Sequence, residues 1–195
     1  LTMKRTFVLG ATALAVVCAL PRFALGQEEA VTWAPTWGAS ASGGTLVKVG
    51  PDGWDSGGIS SKSLIAGSGY VDFGVTDAAT DKACGLSRHI VAFSLDDIDF
   101  AIRLTADGNV TIFERGVSRG AVASYSPGDR FRVAAEGGIV RYHQNGTLLY
   151  TSSQAPSYPL LVAASLYSSG ATVADALMSG SLVENVVWTN VVGAS

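Results

Sequence analysis

"RYHQNGTLLYTS", Arg141 to Ser152, reads as two short extended segments around Asn145-Gly146. A two-residue hairpin loop needs positive φ at both central positions if the flanking strands are to keep their right-handed twist. Asn tolerates that conformation and Gly enters it without steric cost. Upstream, Ile139, Arg141 and His143 share one face, and Val140, Tyr142 and Gln144 share the other. Leu148, Leu149 and Tyr150 follow the turn. The stretch predicts an antiparallel hairpin.

The same alternation recurs outward from this ribbon. "YVDFGV" places Val71, Phe73 and Val75 on one face. "DIDFAIRL" places Ile98, Phe100, Ile102 and Leu104 on one side, with Asp97, Asp99, Ala101 and Arg103 opposite. "ADGN", Ala106 to Asn109, turns the chain, and "VTIFER" returns. "SPGD", Ser126 to Asp129, turns it again before Phe131, Val133 and Ala135 alternate, and "EGG", Glu136 to Gly138, leads into the ribbon. "YPLLVAASLY" is a continuous apolar run that predicts a central strand buried on both sides. No long segment has helical periodicity, and the one candidate helical turn falls at "DAATDKA". Each period-two strand has one apolar face, and two stacked sheets hide those faces from each other. The expected fold is therefore all-β, a two-sheet antiparallel sandwich.

The chain's first residues read differently. Met3-Lys4-Arg5 is a short basic start, Phe7 to Leu20 is apolar, and Ala24-Leu25-Gly26 offers small residues for cleavage. This is the pattern of a secretory signal peptide over residues 1–26. The apolar run is shorter than the roughly 20 residues of a membrane span. The expected location is secreted, extracellular or at the cell surface, with no membrane insertion after cleavage. Without Lys4, Arg5 and Arg22, the 13 Lys and Arg fall to 10 against 16 Asp and Glu, a net charge of −6. No basic cluster remains, which argues against a nucleic-acid partner. The remaining length of about 170 residues suits one domain, expected over 27–182. Cys84 is then the only cysteine, so no disulfide can form within the chain, and "KACGLS" reads as a strand that buries it. "VTWAPTWGAS", from Val31, resembles "VVWTNVVGAS", from Val186. Residues 183–195 are accordingly either a last strand or the start of a second copy, in which case further domains are expected.

"DIDFAIRLTADGNVTIFERG", "GDRFRVAAEGGIVRYHQNGTLLYTS" and "YPLLVAASLYSSGATV" together resemble the concanavalin A-like lectin and glucanase sandwiches, in particular their SPRY- and laminin-G-like modules. The likeness spans roughly residues 31–180 and is more specific for fold than for function. It implies a jelly roll of two curved antiparallel sheets. Members bind sugars or proteins, hydrolyse glycans or act as spacers, and the fold alone does not choose among these.

Glucanases of that superfamily set three acidic residues alternately along one strand, so that two carboxylates flank the glycosidic bond. Here Asp97 and Asp99 are expected to share a face, but Ala101, Ile102 and Arg103 stand where the third acid belongs. No nucleophile elbow, phosphate loop or zinc-ligand spacing occurs. The expectation is no enzyme. "DDID", Asp96 to Asp99, has the oxygen ligands calcium favours but not a loop to gather them, and no metal or cofactor is assigned. A binding surface is the better reading. With apolar faces inward, Asp99, Arg103, Phe113, Arg115, Arg132, Arg141 and His143 are expected to collect on one outer face. Guanidinium groups beside an aromatic ring can grip a hydroxylated or carboxylated ligand. Trp54, in "GPDGWDSGG", either stacks on a sugar ring from a loop or folds back over the sheet end. Trp33, Trp188, Tyr142 and Tyr150 are assigned to core and strand pairing. The function expected is a non-catalytic recognition or adhesion module with glycan as the leading partner, a surface protein as another, and a ligand-free spacer as the alternative.

Overall fold

The computed structural model describes residues 27–90 and 92–185. In chain order the strands are β1 (Glu29–Ala30), β2 (Trp33–Trp37), β3 (Ala39–Ser42), β4 (Thr45–Lys48), β5 (Ser56–Leu64), β6 (Gly69–Gly74), β7 (Lys82–Ser87) and β8 (Phe100–Leu104). They continue as β9 (Asn109–Glu114), β10 (Val117–Ser124), β11 (Arg130–Glu136), β12 (Ile139–Gln144), β13 (Thr147–Thr151), β14 (Leu160–Leu166), β15 (Thr172–Ser179) and β16 (Leu182–Glu184). One sheet runs β13-β12-β11-β6-β15-β4-β3, with β1 also on β15. We call it the ribbon sheet. The other runs β10-β9-β8-β7-β14-β5-β16, with β2 also on β5, and we call it the hairpin sheet. The expected all-β sandwich is what forms, and every described pairing in it is antiparallel.

The core follows from the alternation. Val71, Phe73, Phe131, Val133, Ala135, Val140 and Tyr142 from the ribbon sheet meet Phe100, Ile102, Leu104, Val110, Ile112 and Val162 from the hairpin sheet. Each large apolar side chain removed from water contributes about 1.5–3 kcal/mol. The Asn145-Gly146 turn has φ of 51° and 80°, the double positive a two-residue hairpin requires. β14 lies between β5 and β7, buried as its unbroken apolar run predicts. Cys84 is fully buried, and burial pushes its thiol pKa up.

Three local expectations are corrected. "DAATDKA" forms no helical turn. Asp77 Oδ1 instead accepts from the Ala79 amide (3.1 Å) and the Thr80 hydroxyl (2.6 Å), a local bonding pattern that competes with helix. The helical turn is a 3-10 turn at Leu95–Asp97. That turn ends the alternation expected through "DIDF", because the strand begins only at Phe100. Ile98 consequently leaves the main core. It packs with Leu95 on Ala83, Ala101 and Ala163, in a small second cluster on the outer side of the hairpin sheet. Small residues there make room for the crossing segment. Gly85 has none, since a Cβ would run into the Phe100 carbonyl.

β16 pairs with β5, and the Asn185 amide donates to the Ser61 carbonyl at 2.7 Å. Residues 1–26, Trp188 and the rest of 186–195 lie outside the described residues, so the signal-peptide and second-copy readings lie there too. Among the described residues no helix is long and apolar enough to cross a membrane.

Candidate functional site

The residues expected on one outer face are divided between two. Arg132, Arg141 and His143 project from β11 and β12 of the ribbon sheet, whereas Arg103 and Phe113 stand on β8 and β9 of the hairpin sheet, with Asp99 and Arg115 at the ends of those strands. Alternation tells inside from outside but not one sheet from the other, and the chain changes sheets between β10 and β11. Arg115 is moreover a turn residue, at φ 51°, and not a strand residue.

On the ribbon sheet the row Asp72, Arg132, His143, Leu148 crosses four neighbouring strands. Asp72 organises the row. Its Oδ1 accepts from Arg130 Nε at 2.7 Å, and its Oδ2 from Arg132 Nε at 3.0 Å. Arg130 Nη2 also reaches the Asp175 carbonyl at 3.2 Å. Gly74, opposite Arg130, leaves space beside that guanidinium. The Arg132 guanidinium lies 3.8 Å from the centre of the Tyr70 ring, in cation–π geometry. Tyr70 in turn donates to Glu28 Oε2 at 2.7 Å, and its pKa is raised by burial and by that carboxylate. Arg141 pairs with Glu136 at 3.2 Å.

His143 stands at the far wall. Its Nδ1 is buried and, among the described residues, has no hydrogen-bond partner. Burial holds its pKa below the usual value, Arg132 and Arg141 push the same way, and Glu136 opposes them. Asp72, Arg130, Arg132, Glu136, His143 and Gly146 surround a pocket of about 240 Å³. The opening ribbon builds one side of it. Asn145 Nδ2 donates to Asp129 Oδ1 (2.7 Å) and its Oδ1 accepts from the Arg130 amide (2.9 Å), so the turn fixes the start of β11.

The hairpin-sheet residues are arranged for rigidity. Arg103 donates from Nε and Nη2 to the two carboxylate oxygens of Asp81, at 2.9 and 2.6 Å, and that bond raises its pKa. Its guanidinium carbon lies 5.4 Å from the Trp54 ring centre and 5.7 Å from that of Phe113. Trp54 also packs on Tyr167, with centroids 5.3 Å apart. Trp54 thus folds back over the sheet end, the second of its two expected roles. Arg103 is used twice over, and little of it is left for a ligand.

No family model matches this chain, and no curated protein matches it. Solved structures do. The SPRY domain of human HERC1 is similar with a TM-score of 0.56 at 15% identity, over 76% of this chain and 97% of that one. The Emp47p carbohydrate recognition domain gives 0.56 at 8%, over 83% and 97%. The exoplasmic/lumenal domain of VIP36, in a Ca²⁺- and Man3GlcNAc-bound form, gives 0.52 at 9%, over 79% and 83%. The fold is the concanavalin A-like jelly roll.

Within this jelly roll the acidic run is occupied locally. Asp97 Oδ2 accepts from the amides of Ala92 (2.7 Å) and Ser94 (3.4 Å), and Asp99 Oδ2 from that of Arg88 (2.8 Å). Asp97 sits in the 3-10 turn, so the two acids do not share a strand face as expected. Asp99 lies 3.5 Å from Arg115. Among the described residues no group of three His, Cys, Asp or Glu side chains is placed to hold a metal. Sequence reasoning missed Tyr70, Asp72, Arg130 and Glu136. The polar side of "YVDFGV" held the signal for the first two, since an Asp and a Tyr alternating with core residues must face outward together. Also missed was Trp37, 68% exposed at the end of β2.

Proposed function

We propose that this protein is a non-catalytic extracellular recognition module that binds glycan on the outer face of its ribbon sheet. One observation carries the reading: donors from Arg130, Arg132 and His143 and acceptors from Asp72 and Glu136 converge on one pocket. Sugar hydroxyls donate and accept together, so a site of mixed polarity suits them better than an apolar cleft does. Fold likeness to carbohydrate recognition domains supports the same reading at the level of architecture. The basic, apolar and small-residue pattern of residues 1–26 supports export. Both carboxylates of the pocket are ion-paired, Asp72 with Arg130 and Arg132 and Glu136 with Arg141. Guanidinium groups thus engage both oxygens of Asp72 and Oε2 of Glu136.

The Arg103, Asp81 and Trp54 set supports a second reading, a ligand-free spacer, because its polar groups satisfy one another. A glycan array probed with the labelled full chain separates the two. The expected result is binding to a defined glycan class, weakened about tenfold or more by Arg132→Ala or His143→Ala and unchanged by Arg115→Ala. A folded protein that binds nothing on the array leaves the spacer reading in its place.

A further inference from the structure

The pocket's guanidinium groups differ in what they have left to give. Arg130 is held by Asp72 through Nε and Nη2 and by the Asp175 carbonyl. Arg141 faces Glu136. Arg132 spends only Nε, on Asp72, and sits over the Tyr70 ring, 3.8 Å from its centre. Its two terminal nitrogens have no hydrogen-bond partner among the described residues, and its side chain is 38% exposed. A guanidinium anchored at Nε and braced by a ring presents its far edge as a fixed two-donor fork, the geometry that matches a carboxylate end-on. Tyr70 is itself held by Glu28, so the brace does not swing. Preorganisation of this kind lowers the ordering cost of binding.

Charge narrows the ligand further. Two guanidiniums of the lining, Arg130 and Arg132, meet two carboxylates, Asp72 and Glu136, and Arg141 adds a third guanidinium behind Glu136. Of the lining groups, Arg132 has the donors left to meet a ligand carboxylate. Glu136 uses Oε2 on Arg141, leaving Oε1 to accept a hydroxyl. Every lining side chain is polar or ionisable and Gly146 has none, so no apolar socket exists for the side chain of a bound peptide.

We propose that this pocket recognises an acidic sugar, a hexuronate or a residue of like chemistry, with its carboxylate end-on to Arg132 beside His143 and a hydroxyl on Glu136. This refinement rests on the glycan reading above. It has a consequence for pH. His143 is neighboured by Arg132 and Glu136 from β11, Arg141 on its own strand and Asp72 from β6, while β13 offers only Leu148. Burial, with the two arginines, lowers the pKa of the free imidazole, and Glu136 opposes them. A bound carboxylate favours its protonation, so binding takes up a proton and tightens as pH falls. A sugar carboxylate stays ionised through this range, its pKa lying near the α-carboxyl value of about 3.5.

Calorimetric titration of the full chain with an oligohexuronate, its carboxyl-reduced counterpart and an acidic peptide tests the assignment at pH 5.5 and 7.5. The expected result is binding of the oligohexuronate, at least about tenfold weaker binding of the reduced sugar, and none of the peptide. Binding should be tighter at pH 5.5, and His143→Gln should remove that difference. Arg132→Lys, which keeps charge without the fork, should weaken the oligohexuronate selectively, and circular dichroism checks that each variant is folded. Equal binding of acidic and reduced sugars overturns the acidic assignment and leaves the glycan reading standing. Binding of the peptide alone, or of no sugar, overturns both. Unaltered pH dependence in His143→Gln removes His143 from the proposal.

Discussion

Gly146 has a φ of 80° and nothing near the place its Cβ would take. Gly146→Ala therefore isolates backbone strain from crowding, and it should cost about 1 kcal/mol in urea denaturation. His143 gives the opposite kind of prediction, one of solvation. Its folded pKa is depressed, so below the ordinary value near 6.5 the unfolded chain binds a proton that the folded chain resists. Stability attributable to His143 is present above that value and is lost as pH falls through it. The urea midpoint of the wild type should drop more than that of His143→Gln between pH 7.5 and 5.5. Equal drops would mean that the buried Nδ1 has no energetic consequence. The turn at Asn145-Gly146 was legible in the sequence because its chemistry is local. The unpartnered Nδ1 was not, because its isolation is created by neighbours from other strands.

The loops at one end of the sandwich hang on two buried lysines. Lys82 on β7 donates to Asp77 Oδ2 (3.0 Å) and the Thr80 hydroxyl (2.7 Å), with its side chain only 1% exposed. Burial lowers its pKa and Asp77 opposes that. Lys48 on β4 donates to Gly53, Asp55 and Ser56, which ties down the segment before β5. Removing one partner of a buried pair leaves an uncompensated charge, whereas removing the charge does not. Asp77→Ala should thus cost about 3 kcal/mol in chemical denaturation, and Lys82→Met markedly less. On the outer side of the hairpin sheet, Leu95 seats the crossing segment on Ala83, Ala101 and Ala163. Leu95→Ala should cost about 2–3 kcal/mol and raise hydrogen exchange in residues 92–98 before the rest of the sheet. The strands themselves were readable from period-two alternation. The seat at Leu95 and the inward turn of Glu114 were not. Glu114 continues the alternation of Val110 and Ile112 into the interior, where Tyr142 (3.0 Å) and Arg119 (3.0 Å) donate to it. Its partners come from β12 and β10, and no local pattern names them.

Across the whole molecule the chain passes repeatedly between sheets. β5, β7, β14 and β16 belong to the hairpin sheet, while β6, β13 and β15 between them belong to the ribbon sheet. Neither sheet can form without the chain that builds the other, and both share one core. Unfolding should be a single transition, with far-UV circular dichroism and tryptophan fluorescence coinciding in urea. Refolding should fall in the millisecond-to-second range of sandwiches built on non-local pairing. Separate transitions by the two probes would mean that the sheets are independent. By itself the sequence determined the strands, their turns, their inward faces and hence a sandwich, because these follow from backbone conformation and from side-chain alternation along a few residues. Only the tertiary structure decided which outward residues meet. It sent Arg103 and Phe113 to one side of the molecule and Arg132 and His143 to the other, and it set Asp72 and Tyr70 beside Arg132. Neighbours across a sheet are joined through connections far apart in the chain, and alternation carries no label for the sheet to which a strand belongs.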